Sequence, residues 1–168
     1  MPINSDDFRD VLRHFPAGVT IVTVKAGEET HGMTVSAFVS VSPTPPLISV
    51  IIDHRGRGHQ LLESSDAVFA VNILQAGQEE LSNTFAWKED RFSVGNWTTA
   101  KTGAPVLEDA LAWLDCTVYS RHTAGTHTIY IGEVQASSVI APDEKPLVYW
   151  NRGYRELLVE EKTEEASE

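Results

Sequence analysis

Apolar and polar positions along the chain alternate in short runs, and the period changes several times. Phe8, Val11, Leu12 and Phe15 recur at helical spacing behind Asn4 and Ser5, either of which can cap the first turn, and Pro16 and Gly18 end the pattern. This helix is expected to lie against a sheet. Val19, Ile21, Val22 and Val24, interleaved with Thr20 and Thr23, predict a strand that turns at 26–30 and pairs as a hairpin with a long segment, 32–47. Residues 47–52, LISVII, form a continuous apolar run suited to a strand buried on both faces. A short helical pattern through Leu61, Leu62 and Ser64 follows, then a strand over 67–73 and a helix over about 78–86 with Leu81 and Phe85 on one face. Phe92, Trp97 and a turn at 103–105 make an aromatic-bearing loop. Two long strand patterns meet at Ala124 and Gly125 as a hairpin, and PLVYW (146–150) with a piece around 154–159 completes the set. Six or more strands, mostly hairpin-connected, with three short helices and no strand–long-helix alternation favour a mainly β antiparallel barrel over a doubly wound sheet.

The segment 32–47, GMTVSAFVSVSPTPPL, departs from an ordinary buried strand because Thr34, Ser36, Ser40 and Ser42 interrupt its apolar residues. A buried hydroxyl without a partner costs about 1–3 kcal/mol. These hydroxyls therefore either line a site for a polar ligand or face solvent and neighbouring backbone. Gly32 admits a close approach to the backbone, and Pro43, Pro45 and Pro46 cannot donate ladder hydrogen bonds. After LISVII comes DHRGRGH (53–59), with two arginines, two histidines and two glycines ahead of a helix. That concentration suits a phosphate, and equally a solvated loop. Its glycine spacing matches neither a P-loop nor a dinucleotide fingerprint.

With 168 residues the chain suits one domain, here 1–158, followed by an acidic tail, 159–168, expected to be frayed. Its net charge of −11 argues against nucleic acid as a partner, although residues 156–168 alone carry six Glu against one Lys. An anionic ligand would need a local group of cations, and the arginine loop supplies one. No apolar run is long enough to cross a membrane as a helix, and the N-terminus lacks the blocks of a signal peptide, so a cytoplasmic location is expected. Asn96-Trp97-Thr98 matches a glycosylation sequon that such a location would leave unused. The single Cys116 lies in an apolar strand pattern and reads as a packed thiol.

Scattered histidines without paired spacing give no metal site, no GxSxG elbow is present, and no catalytic pair stands out among 24 acids. A hydroxyl-bearing wall beside a cationic loop, without an acid–base motif, fits a cofactor that carries its own chemistry. A flavin matches: an apolar ring, a polar pyrimidine edge and a phosphate tail.

Several ordered blocks then make the chain resemble the flavin reductase-like family of FMN-binding split barrels, in particular the small reductase component of two-component flavin-dependent monooxygenases. They are FRDVLRHFPAGVTIVT (8–23), GMTVSAFVSVSPTPPL (32–47), FAVNIL (69–74), FA (85–86), RF (91–92), TGAPVLEDALAWLDC (102–116), GTH (125–127), IGEV (131–134) and PLVYWNRGY (146–154). The resemblance implies a homodimeric, six-stranded antiparallel split β-barrel of Greek-key type with a few short flanking helices. It implies an NAD(P)H:flavin oxidoreductase that moves hydride from NADH or NADPH to FMN or FAD and hands reduced flavin to a separate monooxygenase. By motif, Thr34, Val35, Ser36 and Ala37 would meet the flavin ring edge and ribityl chain; Asp53, Arg55, Gly56 and Arg57 the phosphate end; Phe85 and Arg91 the distal part. His127, Asn151, Arg152 and Tyr154 would border the nicotinamide, with catalysis by positioning and His127 an assistant. Position 126 is Thr where many members carry Asp, which alters the surroundings of His127. A non-catalytic flavin carrier and a barrel enzyme with permanently bound flavin share these features. A dimer is expected on the family pattern and on the apolar surface such a barrel would expose, with the loop around Trp97 a candidate contributor.

Overall fold

The computed structural model describes residues 2–159; the acidic tail beyond Val159 lies outside the described residues. Helix α1 (Ser5–Leu12) leads into β1 (Ala17–Gly18), β2 (Thr20–Ala26), β3 (Glu29–Val35), β4 (Phe38–Pro43) and β5 (Pro46–Asp53). Then come α2 (Arg57–Leu62), β6 (Val68–Ile73), α3 (Glu79–Trp87), β7 (Trp97–Thr99), β8 (Pro105–Leu107), β9 (Ala112–Ala124), β10 (His127–Val139), β11 (Val148–Trp150) and β12 (Gly153–Arg155). The fold is mainly β, as the pattern predicts.

The main sheet has seven strands rather than six, in the order β3-β2-β6-β9-β10-β5-β4, with every pairing antiparallel. The extra strand arises because the segment 32–47, expected as one strand, breaks at Ser36 and Ala37. Its halves become β3 and β4, which occupy opposite edges of the sheet. Only two residues join those edges, so the Cα atoms of Val35 and Phe38 lie within about 11 Å. A sheet whose first and last strands approach so closely must curl on itself, leaving a barrel split along one seam.

Inside the barrel Val22, Val24, Val50, Ile52, Leu62, Phe69, Val71 and Tyr130 form one core. The other face of β2 packs Val19 and Ile21 against Leu74, Leu81, Phe85, Leu107 and Leu147. Strand β2 is thus buried on both sides, and its threonines are satisfied: Thr20 Oγ1 donates to the Val35 carbonyl at 2.6 Å, and Thr23 Oγ1 to the Pro105 carbonyl. Asn72, wholly buried, donates to the Ile21 carbonyl and accepts from Leu107 N, which ties β8 to the sheet. Burial raises the Cys116 thiol to about 12, so it is a packed, unreactive group.

Four expectations change. Helix α1 buries none of its residues: Phe8, Val11, Leu12 and Phe15 are 51–76% exposed, because nothing in the single chain covers its apolar face. Strand β5 is not buried on both faces throughout, since Ile51 stands 38% exposed at the seam. Trp97 turns inward, its ring 5.1 Å from Phe85 and 5.2 Å from Phe92, and its Nε1 donates to the Val94 carbonyl. The C-terminal segment shortens to β12, which joins β11 and β1 in a small separate sheet. Among the described residues no helix is long and apolar enough to cross a membrane.

Candidate functional site

The break at Ser36–Ala37 opens the seam. Phe38 N donates to the Ser36 carbonyl and Ile51 N to the Ala37 carbonyl, whereas the N–H groups of Ser36 and Ala37 have no acceptor among the described residues. Both residues are exposed. Around them lies a cleft of about 320 Å³ walled by Met33–Ala37, Ile51–Asp53, Gly56 and His127. It offers an apolar flank from Met33 and Ile51, unused backbone donors at one edge, and polar groups at the far end. A flat heterocycle with a hydrogen-bonding edge fits that arrangement.

The polar end is built by the turn after β5. Arg55 chelates Asp53: Nε donates to both carboxylate oxygens at 3.0 and 3.1 Å, Nη2 to Oδ2 at 2.6 Å, and Arg55 N to Oδ1 at 2.9 Å. These bonds hold the Asp53 carboxyl far below the usual carboxylate range, with the side-chain bonds the largest cause. The Nη1 edge of Arg55 has no partner among the described residues. Arg55 and Asp53 also border a neighbouring polar cleft of about 430 Å³ with Arg9, His54, Gly125 and Thr126. The turn is seated by α2: Tyr130, buried inside the barrel, places its hydroxyl 2.6 Å from His59 Nδ1 and donates to Glu63 Oε1 at 2.6 Å. Desolvation, with Glu63 second, raises the Tyr130 phenol.

On the other side of Thr34 and Ser36 lies a second cleft, of about 330 Å³, between α3 and the β11–β12 hairpin. Ser82, Asn83 and Trp87 form one wall; Tyr149, Arg152 and Tyr154 form the other. Tyr154 is anchored by its hydroxyl, 2.9 Å from Ser82 Oγ and 2.8 Å from Asn83 Oδ1. Thr34 Oγ1 donates to the Ser82 carbonyl at 2.6 Å, so α3 braces both clefts.

The structure thus gathers Thr34, Val35, Ser36, Ala37, Asp53, Gly56 and His127 around one cleft, with Arg55 at its margin. It does not bring in the rest. Arg57 turns away, Nε donating to Glu29 Oε1 and Nη1 to Gln60 Oε1, each at 2.7 Å. Phe85 is 1% exposed and lines neither cleft; Gly32 faces its ring, so the close approach that this glycine permits is that of a core side chain. Arg91 Nε donates to the Phe85 carbonyl at 3.1 Å. Arg152 and Tyr154 line the second cleft, while Asn151, at φ 48°, shapes the turn before them and donates its N–H to the Arg13 carbonyl. Ser40 is exposed, and Ser42 Oγ accepts from Thr44 N. Met33, Ile51, Arg9, Ser82 and Trp87 also line these clefts. No sequence signal marks Ile51, since one exposed position inside an apolar run has no period of its own.

A family model described as "Flavin reductase like domain" matches residues 12–158. The FMN reductase (NADH) RutF of Agrobacterium fabrum is 38% identical over 154 residues, covering 90% of this chain and 87% of the relative. The flavin-dependent monooxygenase reductase subunit HsaB of Mycobacterium tuberculosis is 33% identical over 163 residues, covering 96% of this chain and 87% of the relative. The solved NADH:FAD oxidoreductase SgcE6 of Streptomyces globisporus superposes with a TM-score of 0.85 at 33% identity, covering 98% of this chain and 95% of that one.

Proposed function

The chain belongs to the flavin reductase-like family, and from that premise we propose that it is an NAD(P)H:flavin oxidoreductase that supplies reduced FMN or FAD to a separate monooxygenase. The observation that carries this reading is the seam cleft, which sets unpaired backbone donors, an apolar flank and His127 around one volume of about 320 Å³. A flavin bound there would supply the chemistry, acting as the acceptor of a hydride from the reduced nicotinamide. The chain's own part is placement. The N–H groups of Ser36 and Ala37 would receive the polar edge of the ring, Met33 and Ile51 would support its face, and Gly56 with the free edge of Arg55 would receive the phosphate. Held in this way, two flat reactants meet at an effective concentration that free solution does not reach.

His127 in the same cleft favours an oxidoreductase over a flavin carrier, which has no use for a nicotinamide contact. The deciding experiment follows NADH and NADPH oxidation with FMN, FAD and riboflavin added in turn to flavin-free protein. Turnover that requires added flavin supports the proposal. Flavin binding without NAD(P)H oxidation makes the protein a carrier, and activity from a retained flavin on an organic acceptor makes it the bound-flavin enzyme.

The homodimer belongs to the same reading. The uncovered apolar residues of α1 and the exposed Val39 and Val41 of β4 form faces that a second copy would remove from water. Sedimentation equilibrium showing only monomer at micromolar concentration would remove this part.

A further inference from the structure

The hairpin between β9 and β10 delivers one hydroxyl to one ring nitrogen. Thr126 Oγ1 lies 2.9 Å from His127 Nδ1. The turn that carries it is tied on both sides: His127 pairs with Ala124 on β9 and with Asp53 on β5, and the Thr126 carbonyl accepts His54 N at 3.1 Å. Gly125, at φ 59°, supplies the left-handed residue that the turn requires. The backbone that carries the Thr126 hydroxyl is therefore held in place, while the side chain itself is exposed.

The 2.9 Å contact is compatible with either direction, and because a neutral imidazole nitrogen is a stronger acceptor than a hydroxyl oxygen, the arrangement with Thr126 O–H donating to Nδ1 is the more favourable of the two. The other charged group beside His127 is Asp53, and its carboxylate is already chelated by Arg55. With Nδ1 accepting, the ring proton resides on Nε2.

We propose that Thr126 is a positioning residue that holds His127 in the Nε2–H tautomer, so that the seam cleft receives a hydrogen-bond donor, the complement of a carboxamide oxygen on the nicotinamide. This rests on the reading that His127 borders the nicotinamide. It assigns to Thr126 a role in recognition of the reductant and none in flavin binding.

The test combines nitrogen-resolved NMR of His127 in flavin-free protein, above the pH at which the ring is charged, with steady-state kinetics. Wild type shows the Nε2–H tautomer, Thr126→Val a mixture, and Thr126→Ser the wild-type form. Thr126→Val raises KM for NADH about fivefold, the equivalent of one hydrogen bond of about 1 kcal/mol, while kcat and flavin Kd stay within twofold, and Thr126→Ser restores KM. An Nδ1–H tautomer in the wild type overturns the proposal, as does a Thr126→Val protein with unchanged tautomer and KM. His127→Ala separates the premise: if it leaves KM for NADH unchanged while Thr126→Val shifts the tautomer, His127 does not meet the nicotinamide and the recognition role falls. If His127→Ala raises KM and Thr126→Val does not, the premise stands and the role of Thr126 is refuted.

Discussion

Gly32→Ala tests the brace behind the seam. A Cβ at this position would lie 2.4 Å from Phe85 Cε1, 2.7 Å from Phe85 Cδ1 and 3.5 Å from Phe92 Cζ. Ordinary carbon contacts are about 3.5–4.0 Å, so the Phe85 ring would have to retreat by roughly 1 Å or more. It has little room. The ring is 1% exposed, with Phe92 edge-on at 5.3 Å and Trp97 at 5.1 Å on its other sides. Overpacking of this kind costs about 1–3 kcal/mol, and the enclosure places it near 2–3, a fall in Tm of roughly 4–12 °C for a chain of this length. Urea unfolding of flavin-free protein measures it. Phe85→Leu alone costs on the order of 1 kcal/mol. In the double variant the two costs overlap, because the shortened side chain leaves space for the methyl, so the sum should exceed the measured loss by about 1 kcal/mol. Flavin affinity of Phe85→Leu should match wild type within twofold. Strict additivity, or a Gly32→Ala protein as stable as wild type, would refute the packing argument; a large loss of flavin affinity in Phe85→Leu would return Phe85 to the site.

Arg55→Gln should weaken FMN binding about tenfold and leave riboflavin unaffected, whereas Arg57→Gln, whose partners are Glu29 and Gln60, should change neither; fluorescence titration with both ligands distinguishes phosphate contact from bystander. Burial first, then the charges of Arg91 and Arg57, hold the His31 imidazole below its usual value, so the unfolded chain binds that proton more readily. The stability present above about pH 6.5 is then lost as pH falls through the lower folded value, and wild type should lose more between pH 7 and 5 than His31→Gln; equal losses would exclude His31 as a cause. Thr102→Val removes the hydroxyl that donates to the wholly buried Asp115 carboxylate, leaving Thr102 N at 2.7 Å, and should cost about 1–3 kcal/mol in chemical denaturation; no loss would show that water replaces it.

The local wall of the site was legible because it is contiguous: Thr34, Val35, Ser36 and Ala37 are neighbours in the chain, and their hydroxyl-interrupted pattern contradicts an ordinary strand. The loop of Asp53, Arg55 and Gly56 was legible for the same reason. What failed to show was direction. Arg57 is two residues from Arg55 and chemically identical, yet α2 begins at it and points its guanidinium toward Glu29 on β3. Phe85 carries a helical period that is satisfied by a core as well as by a ligand, and only the glycine opposite decides between them. Tyr154 and His127 read as one group by family resemblance, but they fall on two sides of the Thr34–Ser36 segment, a separation set by pairing partners far apart in sequence. In the same way, the apolar face of α1 has a clear period that does not say whether its cover comes from the same chain.

The break at Ser36 and Ala37 explains why the cleft is where it is. A seven-stranded antiparallel sheet that stayed open would present two edges of unpaired N–H and C=O groups, a liability for aggregation. Curling brings β3 and β4 together through a two-residue link, but full closure would pair Ser36 and Ala37 into the ladder and leave no backbone donor for a ligand. The link is too short to span a wide gap and too irregular to continue either strand. No ladder joins β3 to β4, so the barrel stays split along that seam, and the donors left over at Ser36 and Ala37 lie beside the polar turn after β5, because β5 is the strand that pairs with β4. His127 arrives at the same place because β10 pairs with β5 in a register that sets it across from Asp53. A one-residue slip of β10 would turn His127 to the opposite face and bring Thr128 in its place, so the register of that pair is as much a component of the site as any side chain in it.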